Sequence, residues 1–495
     1  MKHVILILGL CLSHLMLPAQ TAFELKPDTL GQGVFYGTKL DLQGPLAVVG
    51  TGPGLLLPPR GPYVYLYEEG PTGWELRANL VAVDSSETFF TDAAISIQND
   101  EAHIMVGDMD NDQAGTNAGA VYMFTYDMTN QTWIQQSKLT GGGFAENQAL
   151  LGTSVAIEGD YAVAGAPRKD VTLSLANPND GAAVVYRRDG GTDTWVIDTE
   201  LHASDFREAA NFGQAVGISG DHIIVGAPFG DTLPDGSVAG SAYIFERKSS
   251  GWEEVQRLTP SVQSPLAPVS DQFGWSVDIE GDFAIVGAYA HVIDNTNPTG
   301  MAAIFQRIND TWQEVALLIP SDEIASGAFG WDVSIDSNGN AAVAAFSSTD
   351  GSSAYVFKKE GNNWIEQGPK INILSGGTSA VAIDGDDLLF GSSDISGGFS
   401  RIYRGICTGA LSTETVFSDQ SFVKLYPNPA SQQVFIEGVQ EMALVEIWDL
   451  NGRKLLQKEV FNLMPWIDLS QVNKGKYIVK LTENGKTAGR MLVIE

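Results

Sequence analysis

The sequence predicts an all-β protein: a ring of similar four-stranded units, followed by a smaller strand-rich region. Three observations predict it. One stretch recurs along the chain in register. Each copy carries the alternation and turn signals of short strands. The copies also leave one strand missing at the end of the series, and the N-terminus supplies it.

The clearest copies read FGQAVGISGDHIIVGA (212–227), FGWSVDIEGDFAIVGA (273–288) and LGTSVAIEGDYAVAGA (151–166). Weaker copies begin at Phe35, Phe90, Phe329 and near Gly377. The first segment of each alternates, as a half-buried strand does. Gly-Asp follows as a two-residue hairpin turn, with both residues expected at positive φ. The next segment is nearly all apolar, so both its faces are covered. After a variable loop comes a Tyr/Phe-rich third strand such as GSAYIFER (240–247), and then a Trp-led fourth such as GWEEVQRL (251–258). Four antiparallel strands repeated every ~50–60 residues are the blades of a β-propeller.

Trp74, Trp133, Trp195, Trp252, Trp312 and Trp364 lead six fourth strands. The seventh unit stops at GGFSRIYR (397–404) and has none. AFELKPDTL (22–30) matches GWELRANLV (73–81), which sets Phe23 on Trp74. The N-terminal strand therefore completes a seventh blade and closes the ring, removing unpaired edges. Phe23 is expected to be buried there.

The flanks differ. Residues 1–19 read as a signal peptide: Lys2, an apolar run from Val4 to Leu17, and Ala19 before the cut. No other run reaches the ~18 apolar residues of a membrane span, so no transmembrane segment is expected. Once Cys11 leaves with the leader, Cys407 stands alone and no internal disulfide forms. The propeller is assigned residues 20–404 and a small-residue linker 405–421. Residues 422–495, alternating strands separated by Asn-Gly turns, read as a small β-sandwich.

The net charge is −31. Residues 421–495 are nearly balanced, so the acid excess lies in residues 1–420. Such a surface excludes nucleic acid and anionic lipid as partners.

The pairs Phe212–Gly213, Phe273–Gly274 and Phe329–Gly330, with the Gly-Ala-Pro triplets at 165–167 and 226–228, resemble FG-GAP repeat proteins. These are the seven-bladed propellers of integrin α-subunit heads and of many secreted bacterial proteins. The family's calcium loops, however, have shrunk here to the turns Gly159–Asp160, Gly220–Asp221 and Gly281–Asp282. Two residues cannot wrap a cation that takes six to eight oxygens. Only Asp336, Asn338 and Asn340 keep part of the pattern. In the tail, Tyr426–Pro427–Asn428–Pro429, Asp449–Leu450–Asn451–Gly452 and Gly475–Lys476–Tyr477 resemble the type A sorting domain of the type IX secretion system of Bacteroidota. That likeness implies type IX machinery as a partner of residues 422–495. It also implies residence outside the cell or on its outer surface.

Candidate sites are few. The Trp column is filled in every unit and reads as packing. Trp275 and Trp331 open two first strands, which line a propeller's channel, and are candidate ligand contacts. His103 and His222 share one register position and read as structural, while His202 and His291 read as lone loop residues. No nucleophile elbow, zinc-binding helix or phosphate loop occurs. The long connections between second and third strands emerge on one face and carry Asp170, Asp180, Asp231, Asp235 and Asp294, the other candidate contacts. Asp108, Asp110 and Asp112 have the alternate spacing of a Ca²⁺ loop, but Gln113 stands where glycine belongs and no closing acid follows. No other cofactor is implied. The chain therefore reads as a secreted or surface-displayed, non-catalytic binding or adhesion protein for a glycan or a protein. A polysaccharide hydrolase or lyase using acids at the channel mouth, and a structural surface scaffold, are the alternatives.

Overall fold

The computed structural model describes residues 22–27, 35–52, 64–71, 73–82, 91–170, 179–205, 209–230, 238–262, 270–292, 299–321, 327–347, 351–367, 370–373, 377–393, 398–406, 424–426, 433–437, 442–449, 454–461, 466–469, 472–483 and 486–494. Signal-peptide residues 1–19, Phe90 and most of the linker lie outside them. The described residues are all-β, with one short 3-10 turn at Gly142–Phe144.

Residues 22–404 hold seven sheets among the described residues, each with four strands paired in series. The fourth is representative: Val216–Ser219, His222–Ala227, Val238–Lys248 and Gly251–Leu258, all antiparallel. A β-bulge recurs where third and fourth strands pair, as at Ile244/Phe245 and Ile304/Phe305, and adds local twist. The tight turns differ from the sequence expectation in one respect. Positive φ falls on Gly159, Gly220 and Gly281 alone, and the aspartates that follow stay at negative φ. That is the II′ arrangement, which asks only its first residue for the left-handed region. The aspartate instead gives its carbonyl to the third strand: Asp221 O accepts Arg247 N at 2.8 Å.

The first strand of each sheet packs against that of the next, and the seventh, Ser379–Asp384, packs against Phe35–Gln43 of the first. An inner strand facing a channel leaves its amides without a ladder partner. Here a side chain from the preceding strand accepts one at every junction. Asp41 takes Ile95 N (2.8 Å), Asp92 takes Val155 N (2.9 Å) and Ser154 takes Val216 N (3.2 Å). Ser219 takes Gly281 N (3.1 Å), Asp278 takes Ile335 N (2.8 Å) and Asp332 takes Val381 N (3.0 Å). Asp384 takes Gly44 N (2.7 Å) at the seam between seventh and first sheets.

The Phe-Gly pair is a packing device. Phe212 is 1% exposed and meets Tyr243 and Phe245 edge-on, with ring centroids at 5.5 and 6.0 Å. Its partner Gly213 has φ 93° and abuts Gly165 of the preceding sheet, where a Cβ on Gly165 would lie 1.9 Å from Gly213 O. No larger residue fits either position. In the first sheet the aromatic is Tyr36 rather than Phe35. Tyr36 is fully buried, and Gly37 behind it meets Gly391 across the seam.

The N-terminal strand Ala22–Leu25 pairs antiparallel with Phe399–Arg404, with Phe23 opposite Ile402. Leu25 O also accepts the Tyr36 hydroxyl at 2.9 Å, and Arg401 lies 3.8 Å from Glu24. Phe23 is only half-buried, against the expectation. It lies over Gly73 and beneath the Arg404 guanidinium at 5.7 Å. Leu25, two residues on and on the same face of the strand, is 1% exposed and carries the burial, packed with Tyr36 and Ile402.

Beyond residue 404, one sheet holds Lys424–Tyr426, Gln433–Glu437 and Trp466–Asp468, and another holds four strands from Met442 to Ile494. Val434, Ile436 and Ile467 of the first share one apolar cluster with Val445, Ile447, Val479 and Leu492 of the second.

Deleting residues 22–30 is expected to lower the melting temperature sharply. Leu25→Ala should cost about 2–5 kcal/mol in denaturant unfolding, and Phe23→Ala less. An unchanged melting temperature for the deletion would overturn the closure.

Candidate functional site

The seven first strands surround a cavity of about 940 Å³. It runs from the residues that open these strands, among them Thr38, Thr91, Thr153, Trp275 and Trp331, to Glu158, Glu280 and Asp384 beside the hairpins. Alternation explains the lining. In SVDIE (276–280) Val277 and Ile279 are buried, while Asp278 and Glu280 alternate with them and stay partly exposed along the cavity.

Trp275 and Trp331 come together at the mouth, with ring centroids at 5.3 Å and planes 46° apart. Tyr289 contacts both edge-on, at 4.9 and 5.0 Å. Phe346 lies 6.4 Å from Trp331 and lines the same cavity. The two tryptophans are half-buried, so indole surface stays accessible. Tyr289 and Phe346 were not legible as part of this site. Both lie at or just past the ends of second strands, and only the ring brings those ends beside the start of the next first strand.

Deeper in, burial pushes Asp41 and Asp332 up to about 6 and Asp278 and Glu280 up to about 7. Lys39 is the one cation among the described lining residues. Its ammonium lies 3.9 Å from Asp92, which raises its pKa against the cost of burial. Asp41, Asp278 and Asp332 already accept backbone amides, so they are wall as well as lining.

Other candidates lie apart from the mouth pair. Asp170 accepts Asn179 N at 2.8 Å and clasps the far end of its own loop, and Asp180 beside it is buried. Asp231, Asp235 and Asp294 lie outside the described residues. Asp108 is fully buried and accepts Asn111 Nδ2 at 2.9 Å, while exposed Asp112 accepts Asn117 N at 2.7 Å. Burial raises the Asp110 pKa, helped by Asp112. Among the described residues no three His, Cys, Asp or Glu gather to hold a metal ion. Asp336 is enclosed by its own loop, accepting the amides of Asn338 and Asn340, each at 2.8 Å.

The histidines divide. His103 packs edge-on to Trp195, with Arg188 Nη1 2.7 Å from its Nε2. His222 meets Trp312 and Arg307 in the same way. Burial, then the neighbouring arginine, lowers both pKa values, which suits neutral packing groups. Tyr161 and Phe283 fill this position elsewhere, beneath Arg247 and Lys359. His202 and His291 are not alone: His202 lies 3.1 Å from Glu200, and His291 lies 3.2 Å from Asp271 with both side chains buried. No spacing signal marks the second pair, because a loop separates its members.

Comparison with protein families identifies FG-GAP repeats at residues 133–186, 195–245, 252–305 and 312–357. It also identifies a secretion system C-terminal sorting domain at 424–495. Each repeat match starts at a Trp-led fourth strand and ends in the third strand of the next sheet, one strand out of phase with the sheets. The sorting domain marks a protein carried by type IX machinery out of the cell or onto its outer surface. Comparison with curated proteins finds no match. Among solved structures, Saccharomyces cerevisiae Sqt1 is similar at 10% identity and a TM-score of 0.40, over 93% of this chain and 96% of that one, a likeness too distant to bear on function. Among the described residues, no helix is long and apolar enough to cross a membrane.

Raised channel carboxylates favour the protonated, folded form. Their stabilisation is complete below about pH 4 and is lost as pH rises through 6–7. The melting temperature is therefore expected to fall between pH 5 and pH 8. Asp278→Asn, which keeps an acceptor for Ile335 N, should flatten that slope and raise the pH 8 value by roughly 2–5 °C. A wild-type melting temperature that climbs over this interval would contradict the assignment.

Proposed function

We propose that residues 20–404 form a seven-bladed β-propeller and residues 422–495 a β-sandwich sorting signal, joined by the linker 405–421. In this reading the exported protein is a non-catalytic binding or adhesion module for a glycan or a protein. The seven serial sheets and their circuit of inner strands support the propeller. The cluster shared by the two C-terminal sheets supports the sandwich.

One observation carries the functional reading. The Trp275–Trp331 pair opens the channel at the end of the first strands where the long second-to-third-strand connections also emerge. Accessible aromatic surface, a cavity and variable loops on a rigid ring thus coincide on one face, which is where binding sites concentrate. The hydrolase or lyase reading has the raised carboxylates in its favour. Yet Asp41, Asp278 and Asp332 are held by backbone amides, which leaves them poorly placed to shuttle protons to a substrate. This reading requires no cofactor.

The mature protein is expected to give saturable signals on a glycan array or with an extracellular protein, without product. Alanine substitution at Trp275 and Trp331 should weaken them. Turnover of a polysaccharide panel that disappears in Asp278→Asn or Glu280→Gln would replace this reading with the enzyme. Silence toward both ligand classes would favour the scaffold. Titration with Ca²⁺ and with EDTA is expected to leave the melting temperature unchanged; a Ca²⁺-dependent rise lost in Asp110→Asn would establish a metal loop.

A further inference from the structure

We propose that the channel mouth receives the end of an uncharged saccharide chain, with Trp275 and Trp331 as the platform for its terminal ring. This rests on the binding-module reading and names the ligand class for that face. A sugar ring presents an apolar C–H face and a rim of hydroxyls, and both have counterparts here. The indole pair supplies the apolar surface, held in place from behind by Tyr289. Around it, Thr38, Thr91, Thr153, Thr378 and Gln214 line the same opening. Thr91 and Thr153 spend their hydroxyl protons on Gly152 O and Leu150 O, and keep lone pairs for an incoming hydroxyl. The Thr38 hydroxyl oxygen is buried with no partner.

The shape decides how the ligand enters. The cavity is a tube walled by seven strands, so a chain can present its end but cannot lie across the opening. Its volume of about 940 Å³ sits at the upper end of the roughly 300–1,000 Å³ that binding pockets span. Charge decides which ends are excluded. Among the described residues the charged lining is carboxylates with Lys39 alone against them, so uronic-acid and sulfated chains are repelled. A cationic ligand is served poorly as well. Lys39 already sits near Asp92 and Asp332, and Asp41, Asp278 and Asp332 give oxygens to backbone amides. With values of about 6, Asp41 and Asp332 stay mostly ionised at neutral pH, which maintains the repulsion of anionic chains.

The test uses the full mature chain, tryptophan fluorescence and calorimetry. Probes are cello-, manno- and chito-oligosaccharides from mono- to hexasaccharide, with oligogalacturonate and spermidine as charged comparators. Saturable binding of a neutral series is expected, with affinity that stops rising after the first few sugars. Trp275→Ala and Trp331→Ala should weaken it about tenfold or more, and Trp275→Phe much less. Unfolding curves establish that each variant is folded. Sugar binding that is unchanged in both folded alanine variants would place the ligand elsewhere on the loops. That result would overturn this proposal and leave the binding-module reading standing. Binding of spermidine or oligogalacturonate but of no neutral sugar would overturn it too. If no saccharide binds at all, this proposal fails, whereas the module reading fails only if protein ligands are also refused.

Discussion

The ring depends on one repeated interaction: a short side chain on each inner strand accepts an amide from the inner strand of the next sheet. A sheet in this arrangement has an edge facing the channel, whose amides would otherwise have no ladder partner. Asp, Ser or Thr-sized groups are short enough to reach across without filling the tube. Seven such contacts tie neighbouring sheets, alongside the isolated backbone bridges at the Phe-Gly positions. The Phe-Gly pair acts at the same junctions from behind, where Gly165 and Gly213 let two backbones touch while Phe212 fills the space between sheets.

That solution sets the electrostatics. At Asp41, Asp278 and Asp332 the acceptor is drawn into the wall and its charge becomes costly. Lys39 offsets part of that cost beside Asp92. These three aspartates are therefore accounted for by architecture. The aromatic pair at the mouth has no such account: Trp275 and Trp331 interrupt a position that other sheets fill with Thr153 or Gln214.

Closure is a matter of phase. The repeat matches begin with an outer strand and end with a third strand, so the first outer strand belongs to the last sheet. Ala22–Leu25 fills that place, with Leu25 rather than Phe23 in the core. At four other junctions a ring or imidazole of one sheet packs against a Trp and a cation of the next, whereas Phe23 lies beneath Arg404 of its own sheet.

Much of this was legible in the residues. Recurring Phe-Gly and Gly-Asp pairs, apolar second segments and the missing seventh Trp fix strand count, order and the closing strand, because these are local or counting signals. Trp275 and Trp331 were legible as channel residues, since Phe-Gly locates the start of each first strand. The turn type, the buried partner of Phe23, the Asp271–His291 pair and the places of Tyr289 and Phe346 were not, because each depends on groups from distant segments meeting at set distances. Asp41, Asp278 and Asp332 show the division most plainly. In sequence they are polar positions of an alternating strand, and nothing there distinguishes a solvated acid from one that holds a neighbouring amide. Only the circuit of inner strands buries those carboxylates and brings the neighbouring amides within their reach.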